Sequence, residues 1–170
     1  MLTDKEREEA ILYILNYGKS VSFAESCTGG LLSSYFTDIS GISAVFKGSI
    51  ISYSNEIKEK ILGVKLSTLT KFGAVSEQTA LEMVKGVAEL FETDISASIT
   101  GIAGPTGGTP DKPVGTVFIA LKFNEEYFVK RFNFEGNRKK IRKSSADTVI
   151  KNLETFLKTK KLKNFKKIRI

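Results

Sequence analysis

A single α/β domain, built as a three-layer α/β/α sandwich around a mixed sheet, is the fold class this 170-residue sequence predicts. Three observations carry the prediction. Helical patterns alternate with short β-prone runs through the first hundred residues, the order that builds a sheet with helices on its faces. Two later runs, Gly115 to Phe123 and Tyr127 to Phe134, flank Asn124-Glu125-Glu126 and read as an antiparallel hairpin, which makes the sheet mixed. No internal repeat, low-complexity stretch or linker divides the chain, and 41% hydrophobic with 26% charged residues suits one core.

In chain order, Thr3-Asp4-Lys5-Glu6 has capping-box spacing with Leu2 as a staple, and Ala10, Ile11, Ile14 and Leu15 form an apolar stripe ended by Gly18. A strand from about Ser20 to Ala24 then runs into Ala24-Glu25-Ser26-Cys27-Thr28-Gly29-Gly30, followed by a helix to about Ile39 that stops near Gly41. Val45 to Tyr53 reads as a long strand with Gly48 inside it, and Ser54-Asn55 starts a short helix closed by Gly63. Leu66 to Phe72 is a further short helix. Ser76 caps the next, whose apolar face is Ala80, Met83, Val84, Val87, Ala88 and Phe91. Ile95 to Thr100 is a strand of small residues, and the glycine-rich Gly101 to Pro110 is a loop of the length that is usually functional or mobile. A last helix runs from Arg138 to about Lys158 with Ile141, Val149, Ile150, Leu153 and Leu157 on its buried side. The expected division is a domain over 1–157 and a basic tail over 158–170.

Composition narrows the chemistry. The chain has one cysteine and no histidine, which excludes an internal disulfide, most zinc constellations and a Ser-His-Asp triad. Any general base is therefore Lys, Tyr, Asp or Glu. No carboxylate cluster points to a metal. No apolar run approaches the roughly 20 residues that span a bilayer, and the start reads as a charged helix and not a signal peptide, so the expected location is cytoplasmic. Residues 158–170 carry seven Lys or Arg and no acid, which accounts for the whole net charge of +7. Such a run is usually a solvated end and less often a nucleic-acid contact.

The strand-turn-helix corner at 24–30 holds small polar side chains at a strand end, with helix N–H groups aimed at whatever binds there. Ser26 is the leading nucleophile candidate and Cys27 its rival. The same residues also fit a plain helix cap and a buried small hydrophobe, and spacing alone does not choose. If the first two strands are neighbours, their ends bring Lys58 and Tyr53 close to Ser26, and a desolvated lysine acts as a base at neutral pH. Without that proximity, Lys58 is a solvated helix residue and Tyr53 a core residue. Glu25 and Asn55 suit orienting the lysine or binding polar substrate groups, and Glu25 equally suits a buried structural role. The Gly101–Thr109 loop matches neither standard nucleotide fingerprint, although free N–H groups on such a turn bind anions. Arg138 and Arg142, one helical turn apart, suit a phosphate or plain solvation.

Taken together, Ala-Glu-Ser-Cys-Thr-Gly-Gly at 24–30, Tyr-Ser-Asn-Glu-Ile-Lys at 53–58, Leu-Gly-Val at 62–64 and Gly-Ala-Val-Ser-Glu at 73–77 resemble the CinA C-terminal domain family. So do Thr-Gly-Ile-Ala-Gly-Pro at 100–105 and Lys-Pro-Val-Gly-Thr-Val at 112–117. Members resembling this chain include the nicotinamide-nucleotide amidohydrolases, which convert nicotinamide mononucleotide to nicotinate mononucleotide and ammonia. The resemblance implies Ser26 as nucleophile, Lys58 as its base and Tyr53 as a helper. It implies a nucleotide pocket formed by Thr28, Gly29, Gly30, the loop from Thr100 through Gly101 to Gly104, and Arg142, with no cofactor. The lysine-rich end matches nothing in the family pattern. A homodimer is expected, since closed symmetric pairs are common. Two other classes stand beside this reading: a nucleotide-binding module without catalysis, and a competence-associated accessory of nucleic acid.

Overall fold

The first helix, α1 (Asp4–Tyr17), starts and stops where its caps direct. The Thr3 side chain accepts from the Glu6 N–H while Glu6 returns a bond to the Thr3 backbone, and Gly18 closes the helix in the left-handed region. The computed structural model describes residues 1–168. There follow β1 (Val21–Glu25), α2 (Leu31–Thr37), a 3₁₀ turn at Ile42–Ala44, β2 (Phe46–Ile51), α3 (Asn55–Leu62), α4 (Leu66–Phe72) and α5 (Glu77–Phe91). The chain continues through β3 (Ile95–Gly101), β4 (Thr116–Phe123), β5 (Glu126–Asn133), α6 (Arg138–Thr159) and β6 (Lys166–Ile168). Ser54, Ser76 and Asn137 cap α3, α5 and α6 through side-chain oxygens, each satisfying an otherwise orphaned helical N–H. No described helix is long and apolar enough to cross a membrane.

The strands form one sheet in the order β2-β1-β3-β4-β5-β6. β1 runs parallel to β2 and β3, while β4, β5 and β6 alternate antiparallel to their neighbours. The fold is thus an α/β mixed sheet, and side-chain alternation assigns its two faces. Val21, Phe23, Ile95, Ala97, Ile99, Val117, Ile119 and Leu121 pack with residues of α1, α2 and α6. The intervening Ala24 packs with residues of α3, α4 and α5, and Phe118 and Ala120 pack with α5. Small hydroxyl residues let α5 lie close: Ser98 donates to the Ala80 carbonyl at 2.6 Å, and Ser22, Thr93 and Ser96 satisfy one another within 3.0 Å.

Three expectations are corrected. α2 stops at Thr37, with a 3₁₀ turn between it and β2. β2 ends at Ile51, two residues before Tyr53. The basic end is not a tail: α6 runs to Thr159, past the expected boundary at 157, and Lys166–Ile168 pairs antiparallel with Tyr127–Val129. The reason is apolar spacing within the lysine run. Leu162 and Phe165 seat on the core, and Ile168 packs against Val129 and its neighbours. Lys166 and Lys167 meanwhile pair with Glu77 and Glu126. Arg169 and Ile170 of the expected tail lie outside the described residues.

Candidate active site

The corner after β1 is built by one side chain. Glu25, the last residue of β1, is fully buried, and its carboxylate turns forward onto the start of α2. One oxygen accepts from the Gly30 and Leu32 N–H groups at 3.0 and 3.2 Å; the other accepts from the Ser33 N–H at 2.8 Å and its hydroxyl at 2.6 Å. The helix N–H groups that the sequence reading aims at a ligand are therefore taken up by the protein. Glu25 is likewise corrected as a substrate-binding or lysine-orienting side chain, because both its oxygens already hold donors. Gly29 (φ 58°) and Gly30 (φ 91°) take left-handed backbone that lets the chain turn this tightly. The Cys27 and Thr28 amides donate to no other residue among those described.

Ser26 sits in this turn at 8% exposure, its N–H tied to the Ile99 carbonyl of β3 at 3.0 Å. The Ser52 N–H bonds the Glu25 carbonyl at 2.8 Å, continuing the parallel β1/β2 pairing just beyond β2. The Ser54 cap then sets the direction of α3, and its fourth residue, Lys58, points back under the corner at 1% exposure. Lys58 Nζ donates to Ser26 Oγ at 3.1 Å and to the Ser52 carbonyl at 2.6 Å. Burial pushes its ammonium down to about 8 from 10.5, since desolvation disfavours the charged form. Cys27, at 6% exposure, is pushed by the same burial up to about 12, which leaves its thiol protonated and unreactive.

The remaining candidates divide. Arg142 donates to the Thr28 carbonyl at 2.6 and 3.2 Å, and a Cβ on Gly29 would lie 3.6 Å from its guanidinium, so Arg142, Thr28 and Gly29 do meet at the corner. Thr28 Oγ1 is buried with no hydrogen-bond partner among the described residues. Tyr53, 61% exposed, comes to Arg138 and not to Ser26. Its hydroxyl accepts from Arg138 Nη2 at 2.8 Å, while Arg138 Nη1 donates to the Gly104 carbonyl at 2.9 Å. Arg138 thus ties Tyr53 and the glycine loop to the start of α6. Asn55 is exposed on the first turn of α3.

One loop side chain is corrected as a ligand contact. The Thr100 hydroxyl is buried and donates to the Ala74 carbonyl at 2.7 Å. Gly101 is a packing glycine: a Cβ there would lie 2.6 Å from the Val117 side chain and 2.8 Å from the Thr116 carbonyl. Ser52 is the contributor that sequence reasoning missed. It acts through its main-chain carbonyl, which leaves no signal in residue type.

A family model described as the CinA C-terminal domain matches residues 4–157. The chain is 52% identical over 145 residues to a CinA-like protein of Thermosipho melanesiensis, covering 84% of this chain and 36% of that protein. It is 50% identical over 158 residues to a CinA-like protein of Thermotoga neapolitana, covering 92% of this chain and 38% of that one. The chain therefore spans a little over a third of the length of these curated relatives. Among solved structures, it superposes on the competence/damage inducible protein CihA from Agrobacterium tumefaciens with TM-score 0.87 at 38% identity, covering 94% of this chain and 98% of that one. A competence-damaged protein (CinA) superfamily protein from Enterobacter cloacae gives TM-score 0.86 at 31% identity, with 92% and 94% covered.

Proposed function

The chain belongs to the CinA C-terminal domain family, and from that membership and the Ser26–Lys58 pair we propose that it is an amidohydrolase converting nicotinamide mononucleotide to nicotinate mononucleotide and ammonia. The observation that carries the reading is the buried lysine amine 3.1 Å from a serine hydroxyl at the mouth of a strand-turn-helix corner. A lysine brought down to about 8 is partly neutral near pH 7, as a base for serine must be.

In this mechanism neutral Lys58 takes the proton from Ser26 Oγ, and the alkoxide attacks the carboxamide carbon of the nicotinamide ring. The tetrahedral oxyanion takes the Cys27 N–H, where a single such donor contributes roughly 10² to 10³ in rate. Collapse expels ammonia, the leaving nitrogen taking its proton from Lys58. Water then attacks the acyl-enzyme, Lys58 accepting its proton, and Ser26 is regenerated. Every step is acid-base or acyl chemistry within the chain's own groups. The nucleotide phosphate is assigned to the start of α6, where Arg138, Lys139 and Lys140 stand in a first turn without an acid, Arg142 follows, and the helix end is itself positive. Binding energy from phosphate and ribose, far from the reacting bond, holds the amide at the nucleophile. A homodimer and a cytoplasmic location belong to the same reading, and light scattering on purified protein measures the first.

The test is ammonia release from nicotinamide mononucleotide, with nicotinate mononucleotide identified by mass, for the wild-type chain and Ser26→Ala. Turnover lost in the variant with nucleotide affinity retained is the expected result. Wild-type turnover in Ser26→Ala overturns the serine assignment. Nucleotide recovered unchanged from the wild-type chain overturns the activity and leaves a binding module.

A further inference from the structure

Glu25 is a buried carboxylate next to the nucleophile in sequence, and the mechanism above gives it no chemistry. A fully buried carboxylate is costly unless its lone pairs are filled. Here four donors fill them, all from residues 30–33. The side chain therefore reaches over Ser26, Cys27, Thr28 and Gly29 and ties the end of β1 to the first turn of α2. The four residues between are held in a closed loop. The third donor residue is itself anchored, since Ser33 Oγ lies 2.8 Å from Ser49 Oγ on β2. The Glu25 main chain acts on the other half of the pair: its carbonyl accepts the Ser52 N–H, and the Ser52 carbonyl accepts Lys58 Nζ.

We propose that Glu25 is a positioning residue that fixes Ser26 in attacking geometry, with the Cys27 N–H as oxyanion donor, by locking the 26–29 turn to the start of α2. The inference rests on the serine-lysine reading above and deepens it. A purely structural cap predicts lost stability alone. Positioning predicts, in addition, a slower reaction for each folded molecule. The Glu25 carboxylate bonds residues 30–33 while Lys58 bonds Ser26 and Ser52, and the shift of Lys58 comes first from burial, which Glu25→Gln leaves in place. Removal of the carboxylate should therefore lower the ceiling of the rate and leave the pH at which the lysine titrates unchanged.

The readout is phosphonylation of Ser26 by an alkyl fluorophosphonate, followed by intact mass across pH 6 to 10, which needs no assumption about the natural amide. Serine oxygen bonds to phosphorus, fluoride leaves, and the serine proton passes to Lys58. In Glu25→Gln an amide NH₂ must face one of the N–H donors, which loosens the turn; displacement of about 1 Å costs on the order of 10²-fold. The expected result is a plateau about 10²-fold below wild type with the midpoint still near 8, in protein whose circular dichroism is native. Ser33→Ala, which removes one of the four donors, should lower the plateau by about tenfold, the effect of a lost hydrogen bond to a charged group. An unchanged plateau in folded Glu25→Gln overturns the inference, as does a shifted midpoint with the plateau kept. If Glu25→Gln does not fold, Ser33→Ala decides, and a wild-type plateau there overturns it. A wild-type chain that is not labelled at Ser26 refutes the serine-lysine reading itself, and the inference falls with it.

Discussion

Replacing Lys58 by Met tests the base most directly, because methionine occupies the volume of the lysine stem without an amine. In the wild-type chain, a fall from 10.5 to about 8 raises the neutral fraction about 300-fold at pH 7. That fraction is about 9% at pH 7, about 1% at pH 6 and half at pH 8. The sign follows: the reactive form is the deprotonated amine, so the rate climbs about tenfold per pH unit below 8 and levels above it. Lys58→Met removes the base, with a loss of about 10² to 10⁴ in kcat and no remaining pH dependence from this group. Stability changes little. The Ser52 carbonyl loses its donor, at about 1–3 kcal/mol, while a buried ammonium is no longer desolvated, and the two offset. Ammonia release from nicotinamide mononucleotide between pH 6 and 9, with a urea midpoint for each protein, measures both. A variant keeping more than about a tenth of the wild-type rate, or a wild-type rate flat from pH 6 to 9, refutes the base assignment.

Other perturbations probe what surrounds the pair. Gly86 lets α5 meet the end of α3, since a Cβ there would lie 1.9 Å from the Leu62 carbonyl. Gly86→Ala should lower stability by about 1–3 kcal/mol by urea unfolding and, by shifting the helix that carries Lys58, slow turnover about tenfold or more. With its thiol held near 12, Cys27 should have a thiolate fraction of about 10⁻⁴ at pH 8, so iodoacetamide should label it only after unfolding and Cys27→Ala should keep turnover. Rapid labelling of the native chain would revive it as a nucleophile. Ending the chain at Thr159 removes β6 and three half-buried apolar side chains, Leu162, Phe165 and Ile168. The expected loss is about 2–4 kcal/mol of unfolding free energy in urea, with ammonia release per folded molecule unchanged because β3, β4 and β5 separate β6 from β1. A truncated chain as stable as the full one would show that the β6 pairing contributes nothing.

Helix boundaries were legible because their causes are local. The Thr3/Glu6 box, the Ser54 and Ser76 caps and the Gly18 and Gly63 stops act over three or four residues, and the structure shows each of them. The α6 stripe was legible for the same reason, and all five of its expected core residues are buried. The β6 strand escaped because seven positive charges dominate a reading by composition, while three apolar residues spaced three apart decide the packing. Within the site, Ser26 and Lys58 were legible as residue types and Glu25 was not legible as a cap. A cap is sought at the position before a helix, and this one arrives from the preceding strand.

What the sequence determined by itself is the chemical inventory and the local geometry: a chain without histidine, a serine in a strand-turn-helix corner, and a lysine in the first turns of a capped helix. That the two face each other follows only from the closed sheet. The parallel register that sets Glu25 against Ile51 carries Ser52, and then Lys58, beneath the corner. The same closure buries the lysine and lowers its pKa, and it sends Tyr53 to Arg138 and the Thr100 hydroxyl to the Ala74 carbonyl. Strand adjacency and desolvation are properties of the closed sheet. They depend on contacts between residues about thirty apart, beyond the few-residue range over which caps and periodicities act.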